Sequence, residues 1–434
     1  MSQSNSSGKH AVYVDGVRTA FQKSGTAFQR LSAYDLGRHA ISGLITKTKL
    51  DGALVDHVYY GNVIQDINTS NVARESSLAA GLPDSIPAHT ISMACISSNM
   101  AATAAKDAIE AGQIGCAIVG GTEVMSDIPI RFRKKFRQKL LETQRYKSPA
   151  DYLKFLKGLK PSDLLPEIPS ISEFSTGETM GQSCDKMAAK FGITREEQDA
   201  YALRSHLLAD KAREYLAKEI HPVAVKRSDS VITSDNGIRG DSSPEKLASL
   251  KPAFVKKHGT ITAGNASFLT DGASAGLMMS NELAKANGFR PKVTLRSYAY
   301  VAQRPDDELL IGPAFAVPKV LDAMNLTLDD IDVFEFHEAF AGQVLTVLRA
   351  LNSDEFGKER LNRSGKVGEV PLDKLNNWGG SLSIGHPFAA TGVRMITTAA
   401  NRLIEEDGNL ALLAACAAGG QGHAIVLERH NDAS

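Results

Sequence analysis

The chain has 434 residues, 43% of them apolar, with 49 Lys and Arg against 49 Asp and Glu. That length accommodates about one to three domains and a large core, and the balanced charge excludes a globally basic nucleic-acid binder. The four cysteines, Cys95, Cys116, Cys184 and Cys416, show no C-x-x-C spacing, which points to a reducing compartment rather than a disulfide frame.

The opening run MSQSNSSGKH is polar and short. It lacks the apolar core of a secretory signal and the Arg-rich pattern of a transit peptide. The C-terminal NDAS is not a peroxisomal address, and no run approaches the ~18–20 apolar residues of a spanning helix. A soluble cytoplasmic protein is expected, with the mitochondrial matrix as the alternative if a leader has been removed.

Residues 11–14 (AVYV) read as a strand, 33–46 as a helix, and V-D-H-V-Y-Y-G (55–61) as a second strand. Cys95 lies in M-A-C-I-S-S-N, at the mouth of a small-residue helix that ends at Gly112. Aligned peptide dipoles at a helix N-terminus lower a thiol's pKa, so Cys95 is a candidate nucleophile; a buried structural cysteine is the alternative. C-A-I-V-G-G (116–121) then reads as a buried strand closing in a glycine turn.

Residues 131–259 differ in composition and read as an inserted loop domain. A Pro-punctuated loop covers 161–170 and a helical region 181–218. Within 131–160 stand Arg131, Arg133, Lys134, Lys135, Arg137, Lys139, Arg145, Lys147, Lys154, Lys157 and Lys160 against Glu142 and Asp151, a local excess of nine positive charges. Phe132, Phe136 and Leu140 recur every four residues, and Leu153, Leu156 and Lys160 follow at similar spacing. Basic amphipathic helices bind anionic membrane or acidic partner surfaces; a solvated basic face is the alternative.

The C-terminal part repeats the plan of the N-terminal part. K-L-D-G-A-L-V-D-H-V-Y-Y-G (49–61) parallels L-T-L-D-D-I-D-V-F-E-F-H (326–337), and the Cys95 helix with its following strand parallels the helix after Gly392 with strand 409–415. The expected fold is α/β, with two related βαβ halves at 9–130 (completed by about 260–285) and 286–430, and the insert between them.

In the second half, F-E-F-H-E-A-F-A (334–341) puts His337 and Glu338 at the end of an apolar strand, where open α/β sheets bind ligands. G-G-S-L-S-I-G-H-P-F-A-A-T-G carries His386 on irregular backbone ahead of a helix. Cys416 follows L-A-L-L-A-A and precedes A-A-G-G-Q-G; such glycine turns aim N–H groups at developing negative charge. Two thiols and an imidazole without metal-ligand spacing point to covalent acyl chemistry, with no metal. One thiol would hold the acyl group and the other would move the proton.

These segments, with G-T-I-T-A-G-N-A-S-F-L-T-D-G-A-S-A (259–275), resemble the motifs of the thiolase family in family order. H-E-A-F in place of the family's N-E-A-F, the run E-F-S-T-G-E-T-M-G (173–181) and the basic insert resemble its β-subunit type from the trifunctional complex of fatty-acid oxidation. The resemblance implies a five-layered α-β-α-β-α body and ping-pong cleavage of 3-ketoacyl-CoA. Cys95 would be the nucleophile and Cys416 the acid/base. One oxyanion hole would use His386 and a water held by His337; the other would use the backbone N–H groups of Cys95 and Ala418. Coenzyme A is implied as a substrate, with no permanently bound cofactor, and Arg239, Ala263 and Ser267 match its contact positions. A homodimer, a hydratase/dehydrogenase α-subunit as partner and peripheral contact with anionic membrane through 131–160 are implied as well. The rival readings are a biosynthetic acetoacetyl-CoA thiolase, a ketoacyl synthase (which would have histidine at Cys416) and a non-catalytic lipid carrier or scaffold.

Overall fold

The structure, a computed structural model, describes residues 10–155, 157–167, 172–225 and 230–433. Leu156 of the basic stretch and residues 168–170 of the Pro-punctuated loop lie outside the described residues.

Strand β1 (Ala11–Thr19) is buried at all but one position. It outruns the predicted 11–14 because a bulge between Tyr13 and Asp15 lets pairing continue. Asp15 is stabilised there by ion pairs with Lys292 at 2.7 Å and Lys47 at 3.1 Å. Helix α1 (Ala33–Thr48) starts in a Ser32–Asp35 capping box and stops at Lys49 in the left-handed conformation. After it come β2 (His57–Gly61), α2 (Val72–Ala79), β3 (Ala88–Ile91), α3 (Ser97–Glu110) and β4 (Cys116–Glu123). The insert carries α4 (Lys134–Glu142), α5 (Pro149–Phe155), α6 (Met180–Lys190) and α7 (Arg195–Lys211). The chain then returns to the sheet with β5 (Thr270–Ser280) and β6 (Val293–Ala302). The second half follows with α8 (Gly312–Met324), β7 (Val333–Phe336), α9 (Ala341–Leu351), α10 (Thr391–Glu405), β8 (Leu410–Ala417) and β9 (Gln421–Arg429).

The main strands hydrogen-bond in the order β7-β8-β9-β6-β1-β5-β4-β2-β3. Pairing of β1 with β6 joins the two halves. Helices α3 and α10 lie between the halves: their alanine-rich faces (Ala101, Ala102 and Ala105; Val393, Ile396 and Ala399) share one buried cluster with Tyr13, Val119, Leu413 and Ile425. α1 and α2 cover the outer face of the first half around Leu36, Val58 and Ile118. α8 and α9 cover the second around Val317, Val344 and Phe334. The layers therefore run α-β-α-β-α. Small residues let the central helices approach closely; a Cβ at Gly392 would stand 2.2 Å from Asn99 Oδ1.

The internal repeat extends to side-chain detail. Asp56 Oδ2 accepts from the amides of Gly115 and Cys116, and Asp332 Oδ2 accepts from those of Asn409 and Leu410. Each Asp follows a single 3-10 turn (Gly52–Leu54, Leu328–Asp330) and leads into a strand parallel to the one it caps. α8 also ends like α1, at a left-handed residue, Asn325.

The predicted glycine turn after strand 116–121 is corrected. Gly120 and Gly121 are inside β4, which runs on to Glu123. They are small because a Cβ at Gly121 would come within 2.0 Å of Ala389 O, in the loop that carries His386.

Arg18 on β1 grips the chain beyond α7. Its Nη1 and Nη2 donate to the two oxygens of Asp235 at 2.6 and 2.8 Å, out of contact with water. In 131–160 the aromatic rings turn on one another: Phe136 meets Phe132 and Phe155 edge-on, with centroids 5.0 and 5.8 Å apart. Leu141, Tyr152 and Leu153 remain exposed. Among the described residues, no helix is long and apolar enough to cross a membrane.

Candidate active site

The site forms where the central helices begin. Ala94, φ +46°, turns the chain just before Cys95. A non-glycine residue in that region costs about 1–3 kcal/mol and recurs at functional turns. Ser97 ties the turn: its Oγ accepts from Met93 N at 2.8 Å and donates to Ala94 O at 2.7 Å. The turn packs against Ala415 and Ala417 of β8, so Cys95 faces the strand end that carries Cys416.

The Cys95 sulfur and one ring nitrogen each from His337 and His386 lie within 4.8 Å of one another. The two rings stand 4.1 Å apart, tilted by 47°. His337 follows β7, and its Nδ1 bonds Ser381 Oγ at 3.0 Å. His386 sits on the loop into α10, and its Nδ1 bonds Thr391 Oγ1 at 2.7 Å. Among the described residues neither Nε2 atom, both buried, has a hydrogen-bond partner, which leaves them as the atoms offered to the space beside Cys95. Buried polar atoms are rarely orphaned in native proteins without a functional reason.

Burial pushes the Cys95 thiol up to about 12. The amides of Ala418 and of Cys95 itself, both at the sulfur, pull it the other way, and Glu123 adds to the rise. The lowered pKa expected from the helix end is therefore corrected: desolvation outweighs the dipole, and the resting group is a neutral thiol. The residue keeps some solvent exposure, while its sulfur is closely surrounded. Burial likewise raises the Cys416 thiol well above its ordinary value, with the sulfurs of Cys95 and Cys184 adding to it. His386 is pushed down to about 3 by burial and then by Arg394. His337 falls well below its ordinary range through burial, His386 and Arg394. Both imidazoles are neutral at physiological pH.

Glu338 holds the site without facing it. Its carboxylate accepts from Tyr201 Oη at 3.1 Å, Ser205 Oγ at 2.8 Å, Asn376 Nδ2 at 2.7 Å and Leu382 N at 3.2 Å. Segment 265–270 runs along the site as a connector. Ser267 N donates to Ala339 O at 2.9 Å, and His386 N donates to Thr270 Oγ1 at 3.0 Å. Ala418 stands at the β8–β9 turn, whose Gly419 and Gly420 have φ of +82° and +69°. Gly419 N donates to Glu173 Oε2 at 2.7 Å, so the 172–179 hairpin braces that turn.

The structure thus brings together Cys95, His337, His386, Cys416 and the Ala418 amide, with half-buried Ser267 alongside. Arg239 and Ala263 are exposed; the Arg239 amide donates to His206 Nδ1 at 3.3 Å. Sequence reasoning missed Ser381, Thr391 and Arg394. Thr391 sits inside the His386 motif and was within reach of local reading. Ser381 meets His337 across 44 residues, and no spacing signals that.

A thiol under two backbone amides, beside two neutral imidazoles and a second thiol, on a doubled α/β sheet, has the groups an acyltransferase needs. The model "Thiolase, N-terminal domain" matches residues 11–282 and "Thiolase, C-terminal domain" matches 289–429, so the chain belongs to the thiolase family. It is 54% identical over 423 residues to the mitochondrial trifunctional enzyme subunit beta of Bos taurus, covering 97% of this chain and 89% of that one. It is 53% identical over 421 residues to a probable 3-ketoacyl-CoA thiolase of Caenorhabditis elegans, covering 96% and 94%. The crystal structure of human mitochondrial 3-ketoacyl-CoA thiolase in complex with CoA superposes with a TM-score of 0.83 at 29% identity, covering 97% of this chain and 98% of that one.

Proposed function

We propose that this thiolase cleaves 3-ketoacyl-CoA with coenzyme A to acetyl-CoA and a shortened acyl-CoA, in fatty-acid β-oxidation. The observation that carries the reading is the Cys95 sulfur lying under the amides of Cys95 and Ala418, beside two unpartnered imidazole nitrogens. His386 takes the Cys95 proton as the sulfur bonds to the 3-keto carbon. The bond between carbons 2 and 3 then breaks, its electrons pass to carbon 2, and the Cys416 thiol protonates that carbon to give acetyl-CoA. The Cys416 thiolate next takes the proton of incoming coenzyme A, whose sulfur attacks the acyl carbon, and the departing Cys95 sulfur takes back the proton held on His386. In this second step the Cys95 and Ala418 amides hold the oxyanion. Ser267 and Ala263 would line the coenzyme's path, and the Arg239 guanidinium suits its phosphates.

The test is coenzyme A-dependent cleavage of 3-ketoacyl-CoAs of increasing chain length. Turnover of chains longer than acetoacetyl is expected. Cleavage of acetoacetyl-CoA alone would favour the biosynthetic rival, and no cleavage at any length would leave the scaffold reading.

We also read 131–259 as the loop domain that carries the coenzyme contacts and the basic insert, between halves at 9–130 (completed by about 260–285) and 286–430. We take the mitochondrial matrix rather than the cytoplasm as the compartment, supported by the names of the mammalian relatives. A homodimeric core would recruit a hydratase/dehydrogenase subunit through the insert. Support comes from Leu141 and Leu153, which are 64% and 79% exposed amid that excess of positive charge. Lys135 is already engaged with Asp163 at 3.3 Å, so the exposed Arg133, Lys134, Arg145 and Lys147 make the better test. Changing all four to Glu should leave cleavage of soluble substrate intact and weaken subunit binding by roughly tenfold or more at low salt, since such attraction is screened by added ions. Partner binding that is unchanged while anionic liposomes are lost would assign the insert to membrane, and no change in either would return it to a solvated face.

A further inference from the structure

The two imidazoles beside Cys95 are chemically alike, yet their neighbours sort them. Arg394 carries donors only and stays protonated. Its Nη2 donates to Ser381 Oγ at 3.2 Å, and its Nη1 faces Glu335 Oε2 at 3.6 Å. The Ser381 hydroxyl proton then has one acceptor among the described residues, His337 Nδ1 at 3.0 Å. A neutral ring that accepts at Nδ1 carries its proton on Nε2. His386 is wired in the opposite sense. Thr391 Oγ1 donates to Pro387 O at 3.1 Å, so it accepts from His386 Nδ1–H at 2.7 Å. That leaves His386 Nε2 as a lone pair.

We propose that Ser381, held by Arg394, is a positioning residue that fixes His337 as the Nε2–H tautomer, so that the site presents one imidazole N–H beside one imidazole lone pair. The proposal rests on the acyl-transfer reading and specifies how its two imidazoles divide the work. The lone pair of His386 receives the Cys95 proton. The His337 N–H faces oxygen that gains negative charge, directly or through a water. Burial of both rings and the fixed charge of Arg394 keep them neutral, so the choice of tautomer has chemical consequence. An asparagine in the H-E-A-F block would offer an N–H whatever its neighbours. A histidine offers one only when something chooses its tautomer, and a wrongly protonated His337 would aim a lone pair at the developing oxyanion.

Three measurements test this. Ring-15N histidine NMR of the resting enzyme, assigned by loss of signal in His337→Asn, should show His337 as Nε2–H and His386 as Nδ1–H. Ser381→Ala should mix the tautomers of His337 and lower kcat roughly ten- to hundredfold with KM within about twofold, the scale of weakening one oxyanion donor. His337→Asn in the Ser381→Ala background should recover most of that loss, because an amide N–H needs no hydroxyl to orient its proton. A purely structural Ser381 would show no such rescue. Unchanged kcat in Ser381→Ala, a double variant no faster than Ser381→Ala, or an Nδ1–H His337 in the resting enzyme each overturns the proposal. The expected tautomers in an enzyme that cleaves no 3-ketoacyl-CoA would instead overturn the acyl-transfer reading.

Discussion

Cys95→Ser should lower turnover by about 10⁴-fold or more, the scale seen when a covalent nucleophile is removed. The substitution is nearly isosteric, so the Ala94 turn and the amides of Cys95 and Ala418 stay in place. What changes is acidity. The enclosed thiol already sits up to about 12, and an alcohol in the same surroundings lies far above that. The imidazole lone pair assigned to it above is that of His386, whose basicity burial lowers. Beside the same imidazole an alcohol gives up its proton far less readily than a thiol. Wild type incubated with acyl-CoA should gain one acyl mass on the peptide containing Cys95, and the serine variant should not. An acyl group found on Cys116 or Cys184 would overturn the assignment. Both are buried, and burial raises both thiols above their ordinary value.

Cys416→Ala should separate the half-reactions. A simple acyl-CoA needs no carbon protonation to acylate Cys95, so acyl-enzyme should still form, slowly. Full turnover of 3-ketoacyl-CoA should fall by about 10²–10⁴-fold, the usual worth of a positioned acid/base. Loss of one sulfur from the end of β8 should cost only about 1 kcal/mol of stability, so thermal unfolding separates chemistry from fold. His386→Ala offers the contrast, since it should slow acylation itself. Wild-type turnover in Cys416→Ala would remove its proton-transfer role.

The fold was legible where short segments carry their own physics. The alanine-rich helix after Cys95, the Gly112 that ends it and the doubled pattern of an apolar residue, an Asp and a strand all appear locally, and each marks an element in the structure. The glycines of β4 were misread because a glycine pair inside a strand and one at a turn look alike in sequence. Only the approach of Ala389, more than 260 residues away, distinguishes them. The acidity of Cys95 was misjudged for a related reason. The helix dipole can be read from sequence, but the enclosure that outweighs it is assembled from β4, β8 and the 386–390 loop. Ser381 and Arg394 escaped notice because serine and arginine are common and their meeting with His337 is tertiary.

The position of β5 has a consequence for how the protein is made. β1 pairs along its length with β5, Ala11 opposite Ser280, and β5 lies between β1 and β4. A chain leaving the ribosome therefore holds an apolar, partnerless β1 until its partner strand has been translated. At ~5–20 residues per second, that wait is roughly 15–50 s. Exposed apolar strands of that kind invite aggregation. Holdase chaperones should therefore engage the nascent chain most strongly before residue 280 emerges, and ribosome-bound fragments ending shortly after β5 should be the first to resist proteolysis.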